Sequence, residues 1–257
     1  MARELDKIEI HNSKVAYLYN PYCFKEKLDC DFLDKYFSVE KYKDDNAVLK
    51  IFKGRGNTYL VKDCRKQNVV IRHYWRGGLF GKILKDNFLK FFSSNQRAFR
   101  EYDMLIVMRK MGFPVPRPVA AKMTKSALFM KNDIILEEIH GAQDLSALLC
   151  QRSLTTEEIC KIGYVLGTMF SAGIYHCDLN IKNIMIDSAT NPWIIDFDKC
   201  VLKKVDQKTY NKMVERLIRS FNKELLLRPS LQWTTLNKEL LLEAMDKAYK
   251  KGEILEN

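Results

Sequence analysis

The sequence predicts an α+β fold with two lobes, a small strand-rich lobe with one helix and a larger helical lobe. Five short strand-like segments and one amphipathic helix are predicted between residues 47 and 139, and helical periodicity dominates after residue 140. Strands that precede a run of helices are typical of an α+β architecture. We therefore predict one lobe at residues 1–139, which includes an N-terminal extension, and a second lobe at residues 140–257.

The strands of the first lobe are predicted from short apolar runs that turn residues separate. One helix is predicted at residues 95–111, and a proline-rich segment at 114–118 follows it, where proline disfavours helix. Residues 1–46 have a less distinct pattern, which predicts only a helix around residues 25–36. The five predicted strands lie at residues 47–53, 58–62, 69–74, 119–123 and 133–139.

The helices of the second lobe are predicted from capping residues and apolar faces. A short helix is expected at residues 144–150, and two long ones at 205–227 and 236–250. Between them, Thr155 and Glu158 have the spacing of a capping box, which marks the start of a further helix. That helix has one apolar face, formed by Ile159, Ile162, Val165, Leu166, Met169 and Phe170.

The charge of the chain indicates an anionic partner. Its 43 lysines and arginines against 32 aspartates and glutamates give a formal net charge of +11 at pH 7. Nucleic acid, anionic lipid and phosphorylated glycolipid would all be attracted. The seven cysteines have no metal-binding spacing, and we expect reduced thiols in a cytosolic protein. No secretory signal and no apolar run of ~20 residues is apparent, so any membrane contact is expected to be peripheral.

Three polar residues in the second lobe have the order that a phosphotransferase requires. Asp178 is followed by Asn183 five residues later, and Asp196 comes after a predicted β-hairpin. Phosphoryl transfer from ATP requires a carboxylate that orients the acceptor hydroxyl, and oxygen ligands for the Mg²⁺ that bridges the phosphates. We predict that Asp178 is the catalytic base and that Asn183 and Asp196 bind Mg²⁺. The alternative is that these side chains only form turns, and their order around a hairpin counts against it.

Neighbouring polar residues are expected to support this set. His176 is predicted to buttress the loop by hydrogen bonding rather than to titrate in catalysis. Asn180 either holds the loop or faces the substrate, and we include it among the candidate substrate contacts. Asp198 either binds a second metal ion or caps a turn, of which the turn is favoured.

A second set of residues, in the first lobe, is predicted to bind ATP. Gly54, Arg55 and Gly56 lie between two strands, where glycines allow backbone N–H groups to approach phosphates. A plain hairpin turn is the alternative for this loop. Arg72 lies on the third predicted strand, at the position where kinases carry a cation that binds the phosphates of ATP. Glu101, on the following helix, is its expected partner. An ordinary pair of surface charges is the alternative for these two residues.

Two further segments complete the predicted site. Glu138 ends the last strand of the first lobe, where a hinge would present backbone groups to adenine. Residues 73–82 interleave cations, aromatic residues and glycines, and Arg76 and Lys82 are predicted to bind an anionic sugar at a lipid surface. RNA binding, or a solvated loop that packs its aromatic residues inward, are the alternatives.

Five segments of the chain resemble motifs of the 3-deoxy-D-manno-octulosonic acid (Kdo) kinases, in the lipopolysaccharide kinase branch of the protein-kinase-like fold. They are GRGNTY at 54–59, IRHYWRGGLFGK at 71–82, PVPRPVAA at 114–121, HCDLNIKNI at 176–184 and IDFDK at 195–199. The arginine-rich second segment is not a general feature of kinases, which makes the resemblance specific.

The resemblance implies ATP-dependent phosphorylation of the 4-hydroxyl of Kdo on Kdo-lipid A, at the cytoplasmic face of the bacterial inner membrane. The catalytic aspartate of the family corresponds to Asp178, and Cys177 replaces an alanine that usually precedes it. Two features differ from ordinary protein kinases. Arg72 replaces a lysine, and Asp198 replaces the glycine of an Asp-Phe-Gly motif.

Two other functions remain as alternatives at this point. One is a small-molecule kinase for aminoglycosides, choline or a free sugar. Only the basic loop at residues 73–82 argues against this alternative. The other is a basic module for RNA or membranes with a catalytically inactive kinase fold. The complete set of base and metal ligands counts against it, so nucleic acid is not the predicted partner. The sequence predicts no oligomeric state.

Overall fold

The computed structural model describes residues 7–53, 57–74, 88–89, 96–125 and 129–252. The chain forms two compact units, Met1–Val107 with Arg117–Glu138, and Met108–Pro116 with Ile139–Asn257. The segment around Pro114 belongs to the second unit because its carbonyl accepts a hydrogen bond from the Ile194 N–H at 3.0 Å.

The described residues form strands that we number in chain order. They are β1 (Ile8–His11), β2 (Val15–Tyr19), β3 (Val48–Phe52), β4 (Thr58–Lys62), β5 (Asn68–His73), β6 (Phe88–Leu89), β7 (Pro118–Lys125), β8 (Phe129–Glu137), β9 (Gln143–Asp144), β10 (Ile174–Tyr175), β11 (Ile184–Ile186), β12 (Pro192–Ile194) and β13 (Val201–Leu202). The five strands predicted in the first lobe are confirmed as β3, β4, β5, β7 and β8.

The α-helices of the described chain are α1 (Cys30–Tyr36), α2 (Val39–Asp44), α3 (Arg97–Lys110), α4 (Leu145–Leu148), α5 (Thr156–Ser171), α6 (Gln207–Leu227) and α7 (Thr235–Lys251). The predicted helices are confirmed, although α1 begins only at Cys30 because Asp29 caps it there. Within the described ranges, no helix combines the length and apolarity needed to span a membrane. None of the seven cysteines, all of which lie in the described ranges, forms a disulfide.

The first unit is built on one antiparallel sheet in the order β1-β2-β7-β8-β5-β4-β3, with β6 beside β8. For residues 1–46 only one helix was predicted. The structure also has strands β1 and β2 and helix α2 in this segment. Strand β2 pairs with β7, which lies about a hundred residues further along the chain, so that Tyr17 faces Lys122 across the ladder. The core of the unit is rich in tyrosine and β-branched residues, among them Tyr17, Tyr19, Tyr36, Tyr42, Val61, Val69, Ile71 and Ile135.

The second unit is centred on α5, whose predicted start and apolar face are confirmed. The Thr155 hydroxyl accepts a hydrogen bond from the Glu158 N–H, and the Glu158 carboxylate accepts one from the Thr155 N–H. All six residues of the predicted apolar face are buried. Strands β9, β11 and β12 form a small sheet, and β10 pairs with β13. The hairpin predicted after Asn183 is the antiparallel pair of β11 and β12.

Helix α5 packs against α7 at two glycines that lie one turn apart. A Cβ added at Gly163 would lie 2.6 Å from the Ala244 Cβ, and one at Gly167 would lie 2.3 Å from the Met245 carbonyl oxygen. Both distances are far shorter than van der Waals contact, and interiors packed at crystal-like density have little room to adjust. The close approach of these two helices therefore requires glycine at both positions.

We expect Gly167→Ala to lower the free energy of unfolding by about 1–3 kcal/mol, because overpacking against the backbone of α7 outweighs the gain in helix propensity of about 1 kcal/mol. Chemical denaturation followed by circular dichroism measures this change. The control is Cys160→Ala, at an exposed position of the same helix, which should change stability by less than about 0.5 kcal/mol. An unchanged or raised stability of Gly167→Ala would show that α7 moves away without cost.

Candidate active site

The loop between β10 and β11 carries Asp178, and hydrogen bonds to one backbone carbonyl define its shape. The Asp178 carbonyl oxygen accepts hydrogen bonds from the side-chain amides of Asn180 at 2.8 Å and Asn183 at 3.0 Å. The Asn180 side chain also accepts from the Lys182 N–H and caps a turn of 3₁₀ helix at Ile181–Asn183. Asn180 therefore supports the loop, and its contact with a substrate stays a prediction.

His176 connects this loop to the segment before Asp196. It is buried, with 1% of its surface exposed; its Nδ1 accepts from the Asp178 N–H at 3.3 Å and its Nε2 lies 3.3 Å from the Ile195 carbonyl oxygen. Burial lowers the pKa of His176, so the ring is neutral at pH 7. The two contacts together require the tautomer that carries its proton on Nε2. His176 therefore buttresses the loop, as predicted, and is not placed to titrate.

Asp196 lies beside Asn183 at the open end of the β11–β12 hairpin. The Ile195 N–H donates to the Asn183 carbonyl at 2.9 Å, directly after the last pair of the hairpin ladder, Ile184 with Ile194. Asp196 itself has a φ of +69°, in the left-handed region that non-glycine residues adopt at a cost. Hydrogen bonds therefore connect Asp178 to Asn183, and Asn183 to Ile195, the residue directly before Asp196, within the second unit.

Asn183 and Asp196 are suited to a hard divalent cation. The Asn183 side chain is mostly buried and donates through Nδ2, while no described residue donates a hydrogen bond to its Oδ1. An amide oxygen and a carboxylate match the oxygen preference of Mg²⁺, which is commonly held by one or two protein groups together with phosphates. No group of three or more His, Cys, Asp or Glu side chains suited to a metal occurs in the described ranges. The assignment of both residues as ligands stays a prediction.

Helix α6 holds the same loop from one side. The Ser220 hydroxyl oxygen accepts from the Ile181 N–H at 2.9 Å, and one turn later the Glu224 carboxylate pairs with the Lys182 ammonium at 2.8 Å. Burial acts to raise the pKa of Glu224, but hydrogen bonds from Lys182 and Ser146 outweigh it, and the pKa is lowered overall. The carboxylate is therefore charged at neutral pH and holds the loop against α6.

Sequence reasoning missed three polar side chains of α6 that bind this loop. They are Arg216, which pairs with the Asp178 carboxylate at 2.8 Å, Ser220 and Glu224. Their spacing of four residues along a predicted amphipathic helix was the available signal, because it places them on one face. That signal gives no hint of the distant loop that the face contacts.

In the first unit, Arg72 pairs with Glu101, as the sequence predicted. Glu101 is fully buried and also accepts a hydrogen bond from the Tyr74 hydroxyl, which in turn accepts from Arg72 Nη2 at 3.1 Å. Burial, followed by the charge of Glu101, raises the pKa of Tyr74 well above its ordinary value. Since Glu101 has no exposed surface, the alternative of a plain surface pair is wrong.

The remaining predicted residues divide into two groups. Glu138 accepts a hydrogen bond from the Asn68 side chain at 2.8 Å beside the end of β8, and Asp198 is buried. The hinge role of Glu138 stays a prediction. The residues that lie outside the described ranges are Gly54, Arg55, Gly56, Arg76 and Lys82.

Comparison with known proteins gives a consistent result. A model of the lipopolysaccharide kinase (Kdo/WaaP) family matches residues 40–245. A 3-deoxy-D-manno-octulosonic acid kinase of Vibrio parahaemolyticus is 40% identical over 223 residues, which cover 86% of this chain and 92% of that protein. One of Haemophilus influenzae (strain PittGG) is 38% identical over 215 residues, covering 80% and 88%. The solved structure of WbdD with the inhibitor LY294002 aligns at 16% identity with a TM-score of 0.49, over 79% of this chain and 45% of that chain.

The resemblance inferred from the five sequence segments is confirmed by the family model and the two kinase relatives, and the predicted α+β class is confirmed by the strand-rich and helical units. The family model covers both the strand-rich unit from residue 40 and the loop that carries Asp178. The relatives are similar over nearly their whole length, which excludes a match confined to one short motif. The chain belongs to the lipopolysaccharide kinase (Kdo/WaaP) family.

Proposed function

We propose that this protein is an ATP-dependent kinase that phosphorylates the 4-hydroxyl of Kdo on Kdo-lipid A, in lipopolysaccharide core biosynthesis. The observation that carries the proposal is the assembly of Asp178, Asn183 and Asp196 around one hydrogen-bonded loop in a chain of this family. Curated relatives that are named Kdo kinases and match over most of their length support the same acceptor. A phosphotransferase with an alcohol acceptor follows from the family itself.

Asp178 is proposed to orient the acceptor hydroxyl. Its Oδ1 is paired with Arg216, and no described residue donates a hydrogen bond to its Oδ2, which leaves that oxygen for the hydroxyl. As the bond between the hydroxyl oxygen and the γ-phosphorus forms and the bond to ADP breaks, Asp178 takes the hydroxyl proton. Because the surrounding amides bind the Asp178 carbonyl and not its carboxylate, the loop holds its shape while the carboxylate reacts.

Asn183 and Asp196 are proposed to hold Mg²⁺, which supplies positive charge to the phosphates when it is bound. The Asn183 amide donates to the Asp178 carbonyl, and the Asn183 carbonyl accepts from the Ile195 N–H, so the Asn183 side chain needs little reorganisation during the reaction. His176, neutral and buried, contacts both the Asp178 N–H and the Ile195 carbonyl, and so holds the Asp178 loop beside the segment that precedes Asp196.

The proposed ATP contacts lie in the first unit. Arg72 supplies a permanent cation for the phosphates, and its pairing with the buried Glu101 fixes the direction of its side chain. The backbone around Gly54 and Gly56 and the hinge at Glu138 are proposed contacts to the phosphates and the adenine.

Peripheral contact with the cytoplasmic face of the inner membrane is part of the proposal. The net charge of +11 favours association with a surface that presents anionic lipids and an acidic glycolipid acceptor. Arg76 and Lys82 of the basic loop are the proposed contacts to that acceptor.

We expect Asp178→Asn to reduce transfer of labelled γ-phosphate from ATP to Kdo-lipid A in detergent micelles by at least about 100-fold, because the amide cannot accept the proton. The rise in melting temperature on addition of Mg²⁺ and ATP should persist, since the variant retains the nucleotide contacts. The mass of the product should increase by one phosphate on the sugar.

The control for this experiment is Asp44→Asn, an identical change at an exposed position of the first unit, which should leave the rate unchanged. Full activity of Asp178→Asn would contradict the assignment of the base. Free Kdo and an aminoglycoside are assayed beside the lipid. Preferred phosphorylation of either one would contradict the proposed acceptor and favour a small-molecule kinase.

A second prediction concerns the ATP contacts. Glu101→Gln removes the charge that holds Arg72, so we expect the KM for ATP to rise by about 10-fold or more and the KM for Kdo-lipid A to change little. Steady-state kinetics with each substrate varied in turn measures this. Arg100→Ala, exposed on the same helix, is the control. An unchanged KM for ATP would show that Arg72 and Glu101 form a structural pair alone.

A further inference from the structure

Arg216 pairs with the proposed base at the surface of the second unit. Its Nη1 donates to the Asp178 Oδ1 at 2.8 Å, and the two side chains are 47% and 50% exposed. An exposed pair of this kind contributes little to folding, because solvent screens the attraction and both side chains lose conformational freedom. Folding stability is therefore a weak reason for a cation at this position.

Each side chain of the pair keeps polar atoms that no described residue uses. A guanidinium has five N–H donors in a planar fork, and the contact to Asp178 is made through Nη1 alone. The Asp178 Oδ2 likewise receives no hydrogen bond within the described chain. A hydroxyl bound at that oxygen and an anion bound on the unused edge of the guanidinium would therefore lie side by side.

The exposed charged residues closest to Arg216 on α6 are cations, apart from Glu215. Lys212, Arg219 and Lys223 are exposed on the same helix, and at 100° per residue they lie with Arg216 within about 60° of its circumference. Arg216 is also the first of the three residues on the face that contacts the catalytic loop. Arg216 therefore lies between the catalytic loop and a positively charged surface, and the positive electrostatic potential there favours binding of an anionic acceptor.

From this placement we infer that Arg216 binds the carboxylate of the acceptor sugar and bridges it to Asp178. The inference rests on the proposed function and names the residue that selects an acidic sugar. Kdo carries its carboxylate on the anomeric ring carbon, two ring positions from the carbon that bears the 4-hydroxyl. A sugar whose 4-hydroxyl binds Asp178 therefore has its carboxylate within one ring of the guanidinium, which a long arginine side chain can reach.

This contact has two consequences for the reaction. A planar fork shared by the Asp178 and substrate carboxylates fixes the sugar in one orientation, so that a single hydroxyl faces the γ-phosphate. The guanidinium also neutralises the acceptor as it approaches the negatively charged triphosphate. A neutral sugar gains neither effect, which makes Arg216 a specificity-determining residue.

The test compares two acceptors that differ only in this charge. The first is Kdo-lipid A, and the second is the same lipid with the Kdo carboxylate converted to a neutral carboxamide. The kcat/KM for each acceptor is measured at saturating ATP for the wild-type protein, Arg216→Ala and Arg216→Lys. Because the pair is half exposed, both variants should fold, and the rise in melting temperature with Mg²⁺ and ATP verifies this.

We expect the wild-type protein to prefer the acid over the amide by about 10- to 100-fold, the range of a hydrogen-bonded charge pair. In Arg216→Ala the preference should fall to within about threefold, because the acid alone loses a partner. Arg216→Lys should retain a part of the preference, since lysine keeps the charge without the fork. Lys247→Ala, which removes an exposed cation from α7, is the charge-matched control and should retain all of it.

Two outcomes would overturn the inference and leave the proposed function intact. One is an equal loss of activity on both acceptors in Arg216→Ala, with the preference unchanged, which would restrict Arg216 to positioning Asp178. The other is a wild-type protein that phosphorylates acid and amide equally well. Absence of transfer to either acceptor by the wild-type protein would instead contradict the proposed function, and the inference with it.

Discussion

Hydrogen bonds to the backbone carbonyl of Asp178 hold the loop on which the proposed chemistry depends. Two asparagine amides share that carbonyl, and His176 accepts from the N–H of the same residue. A loop that leaves the regular ladders must satisfy its polar groups by other means, and short amide side chains do this locally. The arrangement binds the main chain of Asp178 firmly while its carboxylate stays half exposed. The main chain of Asp178 is therefore held rigidly, while its carboxylate remains accessible for the proposed reaction.

Helix α6 supplies the second support of this loop. Its contacts follow one helical face, with a charge pair at each end and the Ser220 hydroxyl between them. The two charge pairs differ in their surroundings. Glu224 is buried and its pKa is lowered by its partners, so it stabilises the fold, whereas Arg216 is exposed beside Asp178, the proposed base. One helix therefore holds the loop and also presents cations to whatever approaches Asp178.

In the first unit, the carboxylate of Glu101 lies in a buried environment, unlike the half-exposed carboxylate of Asp178. Glu101 is fully buried and is compensated by Arg72 and by the Tyr74 hydroxyl, whose raised pKa keeps it a donor. Burying a carboxylate is costly unless it is paired and hydrogen-bonded, so this network is expected to tolerate few substitutions. It fixes the guanidinium of Arg72 at one position on β5. A guanidinium held in this way presents parallel N–H groups to the proposed phosphate ligand, which the single ammonium of a lysine does not.

The sequence by itself determined the features that depend on near neighbours. The capping box at Thr155, the apolar face of α5 and the hairpin after Asn183 were predicted because the interacting residues lie within a few positions of one another. The order of Asp178, Asn183 and Asp196 was also readable, since the hairpin between them is local. The tertiary structure alone decided the rest. The pairing of β2 with β7 and the contact of Arg216 with Asp178 join residues far apart in the chain. Such contacts depend on how whole elements pack, which no local pattern encodes.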